Sequence, residues 1–333
     1  MKNSTCNPRR RLALAAVPAL VASGLVSRAR ADEAPYPNRP VRVVVPWPAG
    51  GVADAGTRRT AAVMEKFLGA RIVVDNRPGA SGQIATEAVA RSTPDGYTLI
   101  AGDISTHALN ACVFANLRVH PLRDFEPVSL RTRGSMMLVV NAATGIRSLD
   151  ELVKRSQAEA DGLPFASPGL GTVQHLHMER LLQATGANLR PVIYKGEAPG
   201  LTDVVGGQVP LMMTFPAVAL PHVQSGKLRA LAVTAKKRVP VLPDTPTFAE
   251  LGRPELEAYT WGAFFAPKGT PRPVIDRLAA AMAKTSEDAS LRQFAAGFGA
   301  EPMHSTPEEL RAWVQAEIDR LCVIAKKAGV RVE

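Results

Sequence analysis

Two glycine-rich turns, each set between a strand-like run and a helix-like run, are the residues best suited to chemistry. The first is Pro46-Trp47-Pro48-Ala49-Gly50-Gly51-Val52-Ala53-Asp54, and the second is Ala166-Ser167-Pro168-Gly169-Leu170-Gly171-Thr172-Val173-Gln174-His175. A helix start leaves N–H groups unpaired and carries the positive end of the helix dipole. Glycine lets a ligand come close to the backbone. In an open α/β sheet such starts face the crevice at the carboxyl ends of the strands. Either turn alone reads more readily as plain connection. Two in matching positions could clamp one small anion with N–H donors instead of charged side chains.

Other chemistries find less support. Gly169-Leu170-Gly171 lacks the third glycine of a dinucleotide fingerprint, no Gly-x-x-x-x-Gly-Lys-Ser/Thr loop exists, and Gly79-Ala80-Ser81-Gly82 runs into Gln83 where a nucleophile elbow needs glycine. His175 and Glu179 share a helix face at i,i+4, but a metal would need more ligands than these supply. His175 is better placed to support its turn. Asp54 has no partner base or nucleophile at a fixed spacing and is expected to cap its helix. His107, in Ser105-Thr106-His107-Ala108-Leu109-Asn110, reads either as a cleft residue or as a polar residue at a helix start. Ala235-Lys236-Lys237-Arg238 reads as a solvated loop.

The elements that must position the turns follow from periodicity. Strands are expected at 41–45, 71–74, 97–101, 136–140, 163–167, 191–194, 209–214 and 228–233. Helices are expected at 54–68, 83–91, 148–160, 173–184, 198–205 and 216–225. Ser148 would be a cap and Glu151 its capping-box partner. Strand and helix alternating at this spacing imply parallel pairing with crossover helices. The tail differs, with an extended stretch at 259–266 and then helices at 271–286, 289–296 and 306–328. No 20–50-residue repeat is present.

The chain has 333 residues, 46% hydrophobic and 21% charged, enough for two modest cores. Its formal charge of +10 points at nucleic acid until the first 31 residues are set aside, since these hold six basic residues and no acid. The remainder has 34 basic and 30 acidic residues, a net charge of +4 with few aromatics, so nucleic acid is not an expected partner. Residues 1–31 have a basic head, an apolar stretch at 12–26 and an Ala29-Arg30-Ala31 end, the layout of a cleaved export signal. General secretion is favoured over the twin-arginine route suggested by Arg9-Arg10. A mitochondrial transit peptide is the rival reading. With no other long apolar run, the mature protein is expected to be soluble and monomeric. Cys6 leaves with the signal, and Cys112 and Cys322 read as a disulfide or as two separate thiols.

Taken in order, the motifs resemble the Bug family, periplasmic solute receptors of tripartite tricarboxylate transporters. The likeness extends over about 36–330. It is carried by Pro46-x-x-x-Gly50-Gly51-x-x-Asp54, Asp75-Asn76-Arg77-Pro78-Gly79-Ala80-Ser81-Gly82, Pro94-Asp95-Gly96-Tyr97 and Asp124-Phe125-Glu126-Pro127-Val128. Ala166-Ser167-x-Gly169-x-Gly171-Thr172-x-x-His175, Tyr194-Lys195-Gly196-x-Ala198-Pro199, Gly206-Gly207-Gln208-Val209 and Leu242-Pro243-Asp244-x-Pro246-Thr247 continue it.

The resemblance implies an α/β, type II periplasmic-binding-protein fold, two doubly wound lobes joined by two crossing strands at 136–141 and 259–266. Lobe one would be 32–138 plus 259–333, and lobe two 139–258. It further implies an extracytoplasmic receptor that closes on a small organic carboxylate and presents it to transporter membrane subunits or to a sensor kinase, without cofactor, metal or catalysis. Trp47, Ala53, Asp54, Ser105 and His107 would line lobe one, and Ser167, Gly171, Thr172 and Thr214 lobe two, with His175 in support. Thr214 stands where the family often has an acid, so a ligand amine would lose a partner and a non-amino carboxylate is expected. A periplasmic isomerase or transferase on the same lobes is the rival reading, with His107 as its base.

Overall fold

The computed structural model describes residues 35–331, so the expected export signal at 1–31 lies outside the described residues. The first block forms β1 (Val41–Val45), α1 (Val52–Leu68), β2 (Ile72–Asn76), α2 (Gln83–Ala90), β3 (Thr98–Asp103), α3 (Asn110–Val113) and β4 (Phe125–Gly134). The second forms β5 (Met137–Asn141), α4 (Leu149–Gln157), β6 (Leu163–Ser167), α5 (Val173–Thr185), β7 (Leu189–Ile193), α6 (Glu197–Val205), β8 (Leu211–Thr214), α7 (Pro216–Gln224) and β9 (Leu228–Val233). The tail adds β10 (Thr260–Pro267), α8 (Arg272–Ser286), α9 (Ala289–Ala296), β11 (Ala300–Pro302) and α10 (Pro307–Lys327).

These strands build two sheets, β11-β4-β10-β3-β1-β2 and β7-β6-β8-β5-β9. In the first, β1 runs parallel to both β2 and β3. Parallel strands are covered by helices on both faces, which is why β1 is almost wholly apolar. Val41, Val43 and Val45 pack with Met64, Leu68, Leu278 and Met282, while Val44 and Ile100 turn to Ala85 and Val89. The second sheet repeats the scheme. Met137, Val139 and Met212 meet Leu201 and Val204, and Leu138, Val140 and Met213 face Leu152 and Leu181.

The ends of helices follow local chemistry. Thr306 and Glu309 form a full capping box on α10. At α4 the Ser148 side chain accepts the Glu151 amide, but Glu151 reaches one residue further back than expected, to the Arg147 amide.

Strand β4 was not expected, because Glu126, Pro127, Arg131 and Arg133 break its apolar pattern. It is tolerated because β11 pairs only with Thr132–Gly134, leaving the stretch around Pro127 with a neighbour on one side. The first passage between sheets therefore falls at Ser135-Met136, between β4 and β5, and Met137 and Leu138 belong to the second sheet. The second passage leads from β9 to β10. Buried Thr234 ties the two together: its N–H donates to the Met136 carbonyl, its Oγ1 accepts the Met136 amide, and its carbonyl accepts the Ala258 amide. Cys112 of α3 and Cys322 of α10 form a disulfide, with Cα atoms 4.7 Å apart. No helix among the described residues is long and apolar enough to cross a membrane.

Candidate functional site

Strand register decides where the two glycine-rich turns lie. Asp103, the last residue of β3, pairs with Gly262, two residues into β10, and Thr260 of β10 pairs with Gly134 at the end of β4. The parallel strands of the first sheet thus end beside the passages between sheets. In the second sheet Thr214, the last residue of β8, pairs with Met137, the first residue of β5. Strand β6 runs parallel to β8, so its end points the same way. The turns after β1 and β6 therefore open toward the same gap, on the two sides of the passages. The sheets also touch there: a Cβ on Gly299 would lie 2.9 Å from the Pro216 ring at the start of α7.

The first turn is pinned from behind. Trp47 donates its indole N–H to Asp103, and its carbonyl accepts the Asn76 side-chain Nδ2 at 3.0 Å. Asp54 does not cap α1 from the N-cap position. It lies in the first turn, and its Oδ2 accepts the Gly50 amide at 2.9 Å while its Oδ1 accepts Arg58 Nε at 2.9 Å. Burial works against its charge, but the Gly50 amide and Arg58 outweigh it and hold the carboxyl below its usual range. Asp54 is thus spent on the turn. What the turn leaves open are the amides of Gly51, Val52, Ala53 and Asp54, which meet no acceptor among the described residues. Ala53 contributes its backbone only.

The second turn has the same plan. Thr172 caps α5, accepting the His175 amide at 3.2 Å and donating to the Gly169 carbonyl at 2.9 Å. Ser167 Oγ meets His175 Nδ1 at 3.0 Å, and burial keeps that imidazole neutral to lower pH than usual. His175 therefore braces the turn from beneath. Gly171 takes φ of 70°, a region glycine enters without strain. The amides of Leu170, Gly171, Val173 and Gln174 are left without acceptors among the described residues.

His107 needs correction. It is sealed in the core, stacked on Phe265 with ring centroids 3.9 Å apart, and Nδ1 meets Thr106 Oγ1 at 2.9 Å. Burial pushes its pKa down to about 3, so it cannot line a cleft or serve as an accessible base. Ser105 stays near the gap, at the start of a π-helical turn whose Ser105 and Thr106 amides donate to Asp103 Oδ1.

Thr214 brings a second correction. It is fully buried, and its hydroxyl donates to Glu197 Oε1 at 2.6 Å; the Phe215 amide donates to the same oxygen at 3.3 Å. The Gln174 side chain adds a further donor. The acid that Thr214 lacks is supplied by Glu197, whose long side chain folds back from the start of α6 onto the end of β8. Burial raises the Glu197 pKa and the three donors oppose the rise.

Sequence reasoning missed Asp103, Glu197 and Arg131. Asp103 had a signal: it ends an apolar strand and is followed by Ser and Thr. The other two are isolated charges whose neighbours are distant in sequence. No group of three or more His, Cys, Asp or Glu side chains converges among the described residues. A surface cavity of about 250 Å³ lies among Glu126, Arg272, Glu308 and Arg311. It sits on the outer helical side, crossed by ion pairs and remote from both turns.

A sequence profile described as "Tripartite tricarboxylate transporter family receptor" matches residues 57–330. Protein BugT of Bordetella pertussis is 34% identical over 315 residues, covering 94% of this chain and 96% of BugT. Among solved structures, an R. palustris protein with adipate is 35% identical with a TM-score of 0.82, covering 89% of this chain and 99% of that one. MatC from Rhodopseudomonas palustris with bound malate is 34% identical with a TM-score of 0.77, covering 87% and 99%.

Proposed function

The chain belongs to the tripartite tricarboxylate transporter receptor family, and on that premise we propose that it captures a small organic carboxylate between its two sheets. One observation carries the reading: unpartnered amides at the starts of α1 and α5 open on the same gap. Each can donate to a carboxylate oxygen, and such charge-assisted bonds are stronger than neutral ones. The two sheets act as lobes, hinged where Thr234 ties the passages, and closure brings the turns together. Val52 and Leu170, one on each turn, are 43% and 58% exposed, and closure would cover both.

The finer assignments follow from this. Trp47, Ala53, Asp54 and Ser105 serve the first half, Trp47 and Asp54 by holding the turn. Gly171 and Thr172 serve the second, with Ser167 and His175 holding the turn from beneath and buried Thr214 acting only through its bond to Glu197. Residues 1–31 export the chain to the periplasm by general secretion, and the closed monomer hands its solute to the transporter's membrane subunits. His107, the base that the rival enzyme reading called on, is buried.

Mass spectrometry of natively purified protein, before and after unfolding, tests the proposal. Unfolding should release a small carboxylic acid, and millimolar mixtures of mono-, di- and tricarboxylates should raise the Tm of the stripped protein. Release of only neutral or cationic solutes, or no stabilisation by any carboxylate mixture, would overturn it.

A further inference from the structure

Two charges sit at the gap without an opposite charge of their own. Arg131 of β4 is 7% exposed, and its Nε is buried with no hydrogen-bond acceptor among the described residues. Space is kept for it by two glycines: a Cβ on Gly262 would lie 2.7 Å from Nη2, and one on Gly56 of α1 would lie 3.2 Å from Nη1. Gly262 pairs with Asp103, so the guanidinium lies level with the end of β3, on the α1 side. Asp103 feels its charge but forms no ion pair with it and is already engaged by Trp47, Ser105 and Thr106. Burying a cation without a counter-ion is costly.

Across the gap stands Glu197, with no cation paired to it among the described residues. Its donors come from the end of β8 and the starts of α5 and α7. The chain's own carboxylate thus occupies part of the anion-binding surface that the second sheet would otherwise offer.

Resting on the receptor reading above, we propose that the cleft is polarised and that its solute is an amino carboxylate. The solute's carboxylate meets Arg131 and the amides of α1, and its ammonium group meets Glu197. Arg131 and Glu197 are then specificity determinants, and the expectation of a non-amino carboxylate is reversed.

Calorimetric titration of the stripped protein with matched pairs tests this: aspartate and succinate, glutamate and glutarate, 4-aminobutyrate and butyrate, leucine and 4-methylpentanoate. In at least one pair the amino member should bind ten or more times tighter. Glu197→Gln should bring that ratio to about one or invert it. Arg131→Met should weaken the tighter member at least tenfold while the Tm holds or rises, since a merely structural arginine would cost stability when removed. A preference for the deaminated member in every pair that binds, a ratio unmoved by Glu197→Gln, or a lowered Tm with binding intact in Arg131→Met would overturn the inference and leave the receptor standing. Binding of no carboxylate at all would instead sink the receptor reading.

Discussion

A histidine held neutral behaves as a flat apolar ring, and both His107 and His177 are used in that way. Burial keeps each uncharged down to a pH of about 3. The unfolded chain protonates them near pH 6.5, so between about 6.5 and 3 it binds protons that the fold refuses. Stability should therefore fall as pH drops through that window, by on the order of one kcal/mol per pH unit for each histidine. The raised carboxyls of Asp103, Glu179 and Glu197 act in the opposite sense, so the histidine share is read by difference. The urea midpoint of His177→Leu should rise relative to that of the parent as pH falls from 7 to 5 to 4, whichever of the two is the more stable at pH 7. The supporting role of His175 was legible because it depends on neighbours in sequence, the turn it holds through Ser167. Roles were hidden at His107, Arg131 and Glu197, where the decisive neighbours come from other elements.

Elements were read best where one local rule sufficed. The β-branched run of β1, the Ser148 cap of α4 and the Gly-rich start of α5 each announce themselves. Strand β4 did not, because its polar residues are paid for by pairing with β10, a partner more than a hundred residues away. Two expectations belong at this level. Thr172→Ala removes the cap of α5 and should cost about 1 kcal/mol in chemical denaturation, with weaker solute binding as the turn loosens. Cys322→Ser unties α10 from α3 and should cost about 2–5 kcal/mol, read as a lower urea midpoint. The sequence left that bond open because two cysteines 210 positions apart say nothing of their distance in space.

At the scale of the molecule, two sheets are stitched at Thr234, and the proposed function puts the working surface between them. Solute binding should shrink the radius of gyration in X-ray scattering and shield Trp47 from a soluble quencher, since both turns move toward one another. The two α/β blocks and the helical tail could be read from the order of the elements, whereas the passage at Ser135-Met136 needed the pairing of β4 to be seen. The most direct measurement is a crystal structure of the protein with the acid it releases on unfolding. The solute should lie between the starts of α1 and α5, a carboxylate oxygen about 3 Å from amides in 51–54 and another of its polar groups against the second sheet's end. A solute seated on an outer face, or touching the loops of one sheet alone in a closed molecule, would contradict the shared cleft.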